Sequence, residues 1–323
     1  MKLQTKNVIL NVAIHREEHK MLKFQKNYTI AQQSFEDFIL VVFVLVDDLY
    51  KKVAPKSVKH RPNISKAILS DSEIITIALC GEIMGIDSEN AWYAFVKKNY
   101  KHLFPKMCDR SQFNRTRRNL LQVMNLIFTQ ISETFQDEFL IVDSFPLEVC
   151  KFGRAKFCRT FRDEGATYSY NPSKKKTFFG YKVHAVTTSE GAVKLFEITP
   201  ANIDDRKGLE DFSTVLPKNC TVIADKGYQS QNLEKSLADV SISLLALRRN
   251  NSLKNYSANF RQMIFKMRRR IETDFSQLSV QFNIERVLAK KFQGLCVRLL
   301  TKFLAFNLCI FIKQNLKIKS LIF

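Results

Sequence analysis

An apolar run that ends directly on a carboxylate limits how this chain can fold. Residues 221–228 read TVIADKGY, a short strand pattern closing on Asp225, with Gly227 just beyond it. A carboxylate at the end of a buried strand is costly to desolvate unless a cation or a hydrogen-bond donor meets it. Asp225 therefore reads either as a metal ligand or as a cap for the helix that begins near Ser230. The octapeptide alone leaves both open.

Length and charge narrow the class of protein. A chain of 323 residues exceeds one typical domain, so a main domain with a smaller one is expected. Lys and Arg outnumber Asp and Glu by 51 to 31, and the net charge of +20 favours a polyanionic partner, nucleic acid first. Charge does not separate a DNA enzyme from an RNA-binding protein. The seven scattered cysteines form no CxxC pair, which fits reduced thiols in the cytoplasm better than disulfides or structural zinc. No membrane span is expected: the apolar stretch 38–46 is too short, and 294–312 carries Arg298 and Lys302. The N-terminus lacks the pattern of a secretory signal.

Residues 1–33 read as a loosely ordered basic extension. Within them His15-Arg16-Glu17-Glu18-His19 matches the HxxEH pattern of a zinc peptidase class, yet no third ligand is evident, and a solvated helix is the simpler reading. Residues 34–53 form a buried helix whose Asp47 and Asp48 point about 100° apart and so cannot converge on one ion. A basic linker, 55–62, follows. Ser70 to Glu73 is a capping box ahead of an apolar helix, 90–100 is amphipathic and holds Trp92, and 111–135 reads as one long helix with Arg115, Arg117 and Arg118. Residues 34–136 are thus an all-helical domain, and Arg115 and Arg118 make it a candidate for DNA binding.

The pattern changes at Phe139. FLIVDSFPLEV is a short strand carrying Asp143, and the loop after it sets Lys151, Arg154, Lys156, Arg159 and Arg162 among Phe152, Phe157 and Phe161. Such interleaving suits phosphate contact with occasional base stacking. Lys174, Lys175 and Lys176 precede a hairpin that turns at Ser189-Glu190-Gly191 and ends at NIDDR, 202–206. A helix over 209–216, the strand closing on Asp225, a helix over 232–240 and a strand over 242–247 complete an α/β pattern with a mixed sheet. A polar surface loop, 250–259, leads to a long amphipathic helix over 260–280. Ile264, Met267, Ile271, Phe275 and Leu278 face the core, and Phe265, Arg268, Glu272 and Ser279 run along the next stripe. Arg268 and Glu272 also read as an ordinary surface pair. An apolar helix, 294–316, closes the chain.

Three acids stand out together: Asp143, Asp225 and Glu272. In this element order the first and fourth strands can be neighbours, bringing the aspartates side by side beneath the helix that bears Glu272. Their oxygens suit Mg2+ or Mn2+, and two ions about 3.5–4 Å apart can stabilise both attacking and leaving oxygens of an in-line phosphoryl transfer.

The segments IVDSFPLEVC, FFGYKVH, ITPANIDDR, ADKGY and RRRIETDFSQL, in that order, resemble the DDE transposases of bacterial insertion sequences, most closely the IS982 family, from about residue 35 to about 310. The resemblance implies an RNase H-like catalytic domain over 137–312, followed by a short tail, 313–323. It implies a metal-binding triad of Asp143, Asp225 and Glu272 using Mg2+ or Mn2+, and cutting and joining of double-stranded DNA at terminal inverted repeats and at a target. Arg268, Arg269 and the basic loops would touch that DNA, and a homodimer would pair two ends. His184 reads as a residue near the site or as a satisfied strand histidine, and Gly227 is expected to let the backbone turn tightly beneath the site. Phe265 and Ser279 stand where such transposases often have Tyr and Lys. Two alternatives follow: a nuclease of the same fold without strand transfer, and an inactive DNA-binding remnant.

Overall fold

The computed structural model describes residues 35–172, 174–248, 256–285 and 287–316. The expected basic extension with its HxxEH match, most of the polar loop 250–259 and the tail beyond 316 lie outside them. The chain divides into two units, Met1–Ile127 with Leu304–Phe323, and Phe128–Phe303.

The first unit is helical: α1 (Phe35–Val53), α2 (Lys56–Lys59), α3 (Asp71–Ile83), α4 (Glu89–Asn99), α5 (Arg110–Asn119) and most of α6 (Leu121–Ser132). The basic linker expected at 55–62 therefore holds one helical turn. At the start of α3, Ser70 Oγ accepts from the Glu73 N–H at 3.2 Å while Glu73 Oε2 accepts from the Ser70 N–H at 2.7 Å, the reciprocal cap its sequence called for. The single helix expected over 111–135 breaks at Leu120, whose N–H is shared between the Thr116 and Arg117 carbonyls. That sharing tightens the last turn and starts a new helix.

The second unit is a mixed α/β structure with a six-stranded sheet. Its elements are β1 (Phe139–Glu148), α7 (Arg159–Asp163), β2 (Thr167–Asn171), β3 (Lys176–Thr188), β4 (Val193–Pro200), α8 (Asp205–Phe212), β5 (Thr221–Ala224), α9 (Gln231–Asp239), β6 (Ser243–Ala246) and α10 (Ala258–Gln281). The last helix, α11 (Phe292–Leu316), is long and apolar enough to cross a membrane, but 83% of its apolar window is buried in protein. The strands run in the order β2-β3-β1-β5-β6, with β4 also on β3. Three features depart from the sequence expectation. The basic loop 151–162 contains a 3-10 turn, Phe152–Phe157, and α7. Strand β2, with its outward tyrosines, was not expected. Helix α8 starts at Asp205 rather than Leu209, because Asp204 accepts from the Arg206 N–H at 2.9 Å and caps it there.

β1 pairs antiparallel with β3 and parallel with β5, Ile141 lying opposite Ile223. Strand alternation then divides the core. Leu140 and Val142 pack with Val222, Leu209 and Leu237 on the side of α8 and α9, whereas Ile141 and Ile223 pack with Ile264 and Ile271 of α10 on the other. Where β3 first meets β1, a Cβ on Gly180 would lie 2.1 Å from the Leu147 carbonyl oxygen, so only glycine fits. Gly180→Ala is expected to cost about 3 kcal/mol, the upper end of the usual overpacking range, read as a drop in the urea midpoint at unchanged slope.

Candidate active site

The pairing of β1 with β5 places the aspartates. Asp143 lies two residues beyond Ile141 on the same side of β1, and Asp225 lies two beyond Ile223, just past the end of β5. Helix α10 covers this side through Ile264 and Ile271, and Arg268 projects between them in the helical repeat. Its guanidinium meets all three acids: Nη2 is 3.7 Å from Asp143 Oδ2 and 3.6 Å from Asp225 Oδ2, and Nη1 is 3.3 Å from Glu272 Oε1. The predicted triad is thus brought together, with Asp143 the most enclosed carboxylate and Glu272 more than half exposed at 55%.

Burial pushes the Asp143 carboxyl up to about 6. The Ser144 N–H, which donates to Asp143 Oδ1 at 2.8 Å, and Arg268 oppose the rise, while Asp225 and Asp205 add to it. Asp225 Oδ1 accepts from the Lys226 N–H at 2.7 Å and so caps the 3-10 turn Lys226–Tyr228. Ser230 caps α9 itself. Asp225 is therefore a cap, though of the nearer turn, and it also faces the other two acids. The special role expected of Gly227 is not found: a Cβ there would meet nothing within 4 Å.

Among the described residues no cluster of three or more His, Cys, Asp or Glu stands ready-formed around a metal position. The three carboxylates gather on the cationic guanidinium of Arg268 instead. Its contacts of 3.3–3.7 Å are longer than charge-assisted hydrogen bonds, which run about 2.7–2.9 Å, and its buried Nε has no hydrogen-bond partner. The hold is electrostatic and loose. An all-oxygen set converging on positive charge fits a hard divalent ion.

A second polar network, missed in the sequence, lies on the other side of β1 and β3. Asp205 Oδ1 accepts from Ser144 Oγ at 2.8 Å, pairs with Lys182 Nζ at 3.0 Å and lies 3.8 Å from His184 Nδ1. His184 is fully buried, shares a 2.9 Å hydrogen bond between Nε2 and Thr199 Oγ1, and packs under Gly208. It is a strand histidine on the side opposite the triad, and its buried Nδ1, 3.8 Å from Asp205 Oδ1, has no hydrogen-bond partner. The spacing of Lys182 and His184, two apart on one strand, was the available sign of this cluster, but its acid came from another element. Tyr228 is buried close to these groups, and burial holds its phenol well above the usual tyrosine range.

The basic candidates separate into committed and open side chains. Arg162 donates to the Ala155 and Lys156 carbonyls at 3.0 and 2.9 Å, Lys174 pairs with Glu285, and Lys176 pairs with Glu148 at 2.7 Å. Lys151, Arg154, Lys156, Arg159 and Lys175 are exposed. Arg269 lies over the Phe265 ring at 5.0 Å. In the helical unit Arg115 and Arg118 are exposed, while Arg117 is buried against Glu89.

Residues 134–308, more than half of the chain, match the family model described as a transposase DDE domain. The transposase for insertion sequence element IS1106 of Neisseria meningitidis serogroup B is 34% identical over 110 residues, which span 33% of this chain and 38% of that protein. The matched part is therefore well under two thirds of that relative. Among solved structures, a piggyBac transposase synaptic complex with hairpin DNA is similar at a TM-score of 0.51 and 12% identity, covering 86% of this chain and 75% of that one. At that identity the likeness is one of fold.

Two outcomes follow from the site. Arg268→Gln leaves three carboxylates facing one another, so in chelator it should lose about 1–3 kcal/mol of stability, and Mg2+ or Mn2+ should then raise its melting temperature more than that of the wild type; equal metal-induced shifts in both proteins would refute this. Burial holds the His184 imidazole down to about 4, below its ordinary value near 6.5. The unfolded chain then binds the extra proton between those values, so this contribution to stability is complete above about 6.5 and is lost as pH falls toward 4. His184→Gln should flatten that part of the stability profile in urea titrations across the interval.

Proposed function

Because this chain belongs to the transposase DDE domain family, we propose that it is the transposase of a bacterial insertion sequence, one that cuts double-stranded DNA at terminal inverted repeats and joins the freed ends to a target. The convergence of Asp143, Asp225 and Glu272 on Arg268 carries the proposal. We read the second unit as an RNase H-like catalytic region, and on the five sequence segments we place the chain with the IS982 family. The helical segment 34–136 would contribute DNA contact, and a homodimer would pair two ends, in the cytoplasm beside the nucleoid.

In this reading Asp143 and Asp225 hold divalent ions, Mg2+ or Mn2+, and Glu272 completes the site. When bound, such ions supply Lewis-acid stabilisation of the attacking and leaving oxygens of phosphoryl transfer. The chain's own residues position the rest. Arg268, beside the three carboxylates, orients the scissile phosphodiester, and exposed Lys151, Arg154, Lys156 and Arg159 hold the backbone on either side. Hydrolysis leaves a 3′-hydroxyl on the element, which then attacks a target phosphodiester and expels the target's 3′-oxygen. The protein forms no covalent bond to DNA.

A second reading, an inactive remnant that only occupies repeat DNA, is favoured by Phe265, exposed beneath Arg269, and by Ser279. One assay separates the readings. Full-length protein is incubated with labelled element ends, target DNA and Mg2+ or Mn2+. Nicked ends followed by joined products are expected, and Asp143→Asn, Asp225→Asn and Glu272→Gln should each reduce both to background. Nicking without joining would indicate a nuclease, and DNA retention without nicking a remnant; activity that survives all three single changes would falsify the assigned site.

A further inference from the structure

Four large aromatic side chains near the β2 end of the sheet are left in solvent. Phe152 is 52% exposed, Phe157 73%, Tyr168 46% and Tyr170 58%. Phe152 and Tyr168 meet edge to face at 5.8 Å, and Tyr168 packs on Phe179 at 4.9 Å. Rings this exposed contribute little to the core and leave much of their surface open to solvent.

Strand register places the tyrosines relative to the carboxylates. Residues opposite each other in an antiparallel ladder project to the same side, and side chains alternate along each strand. Asp143 lies opposite Ala185 and Leu147 opposite Tyr181, while further along β3 Phe179 lies opposite Tyr168 and Thr177 opposite Tyr170. Ala185, Tyr181, Phe179 and Thr177 alternate on one side. Tyr168 and Tyr170 therefore share the sheet side of Asp143. The span along β3 from Ala185 to Phe179 is six residues, about 20 Å at roughly 3.3 Å per residue. A nucleic-acid strand rises about 3.4 Å per nucleotide, so the rings fall about six nucleotides from a phosphate held at the carboxylates.

The charge around the rings selects the partner. Lys151, Arg154, Lys156, Arg159 and Lys175 are exposed, and among the described residues none has a carboxylate within ion-pairing distance. The Lys156 ammonium lies 5.0 Å over the Phe157 ring. Free cations interleaved with open aromatic faces bind a polyanion that also carries flat apolar groups. In a duplex the base faces are covered by their neighbours, so only unpaired bases can use the rings. We propose that the surface formed by Phe152, Tyr168 and Tyr170, with the surrounding cations, is a stacking platform for unpaired nucleotides continuous with the DNA held at the carboxylates. The proposal rests on the DNA-transposition reading of that site, and it adds a single-stranded segment to the substrate.

The test compares two labelled DNAs on the full-length protein in chelator: a blunt duplex, and the same duplex with a short unpaired tail on its 3′ or 5′ end carrying 2-aminopurine. The wild type should bind a tailed duplex about tenfold more tightly than the blunt one and change the probe's fluorescence as it stacks. Tyr168→Ala and Tyr170→Ala should each remove most of that preference while leaving blunt-duplex affinity unchanged, and Tyr168→Phe and Tyr170→Phe should restore it. Tyr170 makes no ring contact among the described residues, so its alanine variant keeps the test clear of misfolding, as an unchanged melting temperature would verify. No tail preference in the wild type, or equal losses on blunt and tailed DNA, would overturn the platform while leaving the transposase reading intact. Failure to bind either DNA would sink both.

Discussion

Carboxylates gathered on one side of a sheet repel one another, and this structure meets that repulsion with a single guanidinium. Arg268 lies within 3.7 Å of Asp143, Asp225 and Glu272, which come from β1, the end of β5 and α10. The rest of the second unit serves to make this meeting possible. Parallel pairing of β1 and β5 sets the aspartates side by side, and the isoleucines of α10 packed on Ile141 and Ile223 fix the helix across them. Without the central cation the arrangement would hold three charges in partly buried space, which low local dielectric makes costly.

The two sides of the sheet divide labour. On the α10 side lie the triad and, farther along β3, the outward tyrosines of β2. On the α8 and α9 side, Asp205 ties Ser144 to Lys182 beside the buried, neutral His184. Ser144 belongs to both: its N–H donates to Asp143 and its hydroxyl to Asp205. Asp143 is thus supported through Ser144 by a network on the opposite side of the sheet.

Much of this was legible in the chain. The capping box at Ser70, the turn at Ser189-Glu190-Gly191 and the core stripe of α10 follow from local periodicity and turn chemistry. What was not legible came from contacts made at a distance. Strand β2 is five residues long and turns Tyr168 and Tyr170 outward, so it carries no apolar stripe toward the core, and its pairing with β3 defines it. Helix 111–135 broke at Leu120 because one shared N–H tightened a turn. Gly227 drew a role from its position beside Asp225, yet open space surrounds it, whereas the glycine that sterics demand is Gly180 against Leu147.

By itself the sequence determined the apolar runs that end on Asp143 and Asp225, the helical stripe carrying Arg268 and Glu272, and the basic surplus, because each is a property of neighbouring residues and their periodicity. Tertiary structure alone decided that one arginine would face all three acids, that Arg162, Lys174 and Lys176 would be engaged within the chain while nearby cations stayed open, and that the tyrosines of β2 would share the side of Asp143. Those outcomes depend on register and on distances between elements far apart in the chain, which no local pattern encodes.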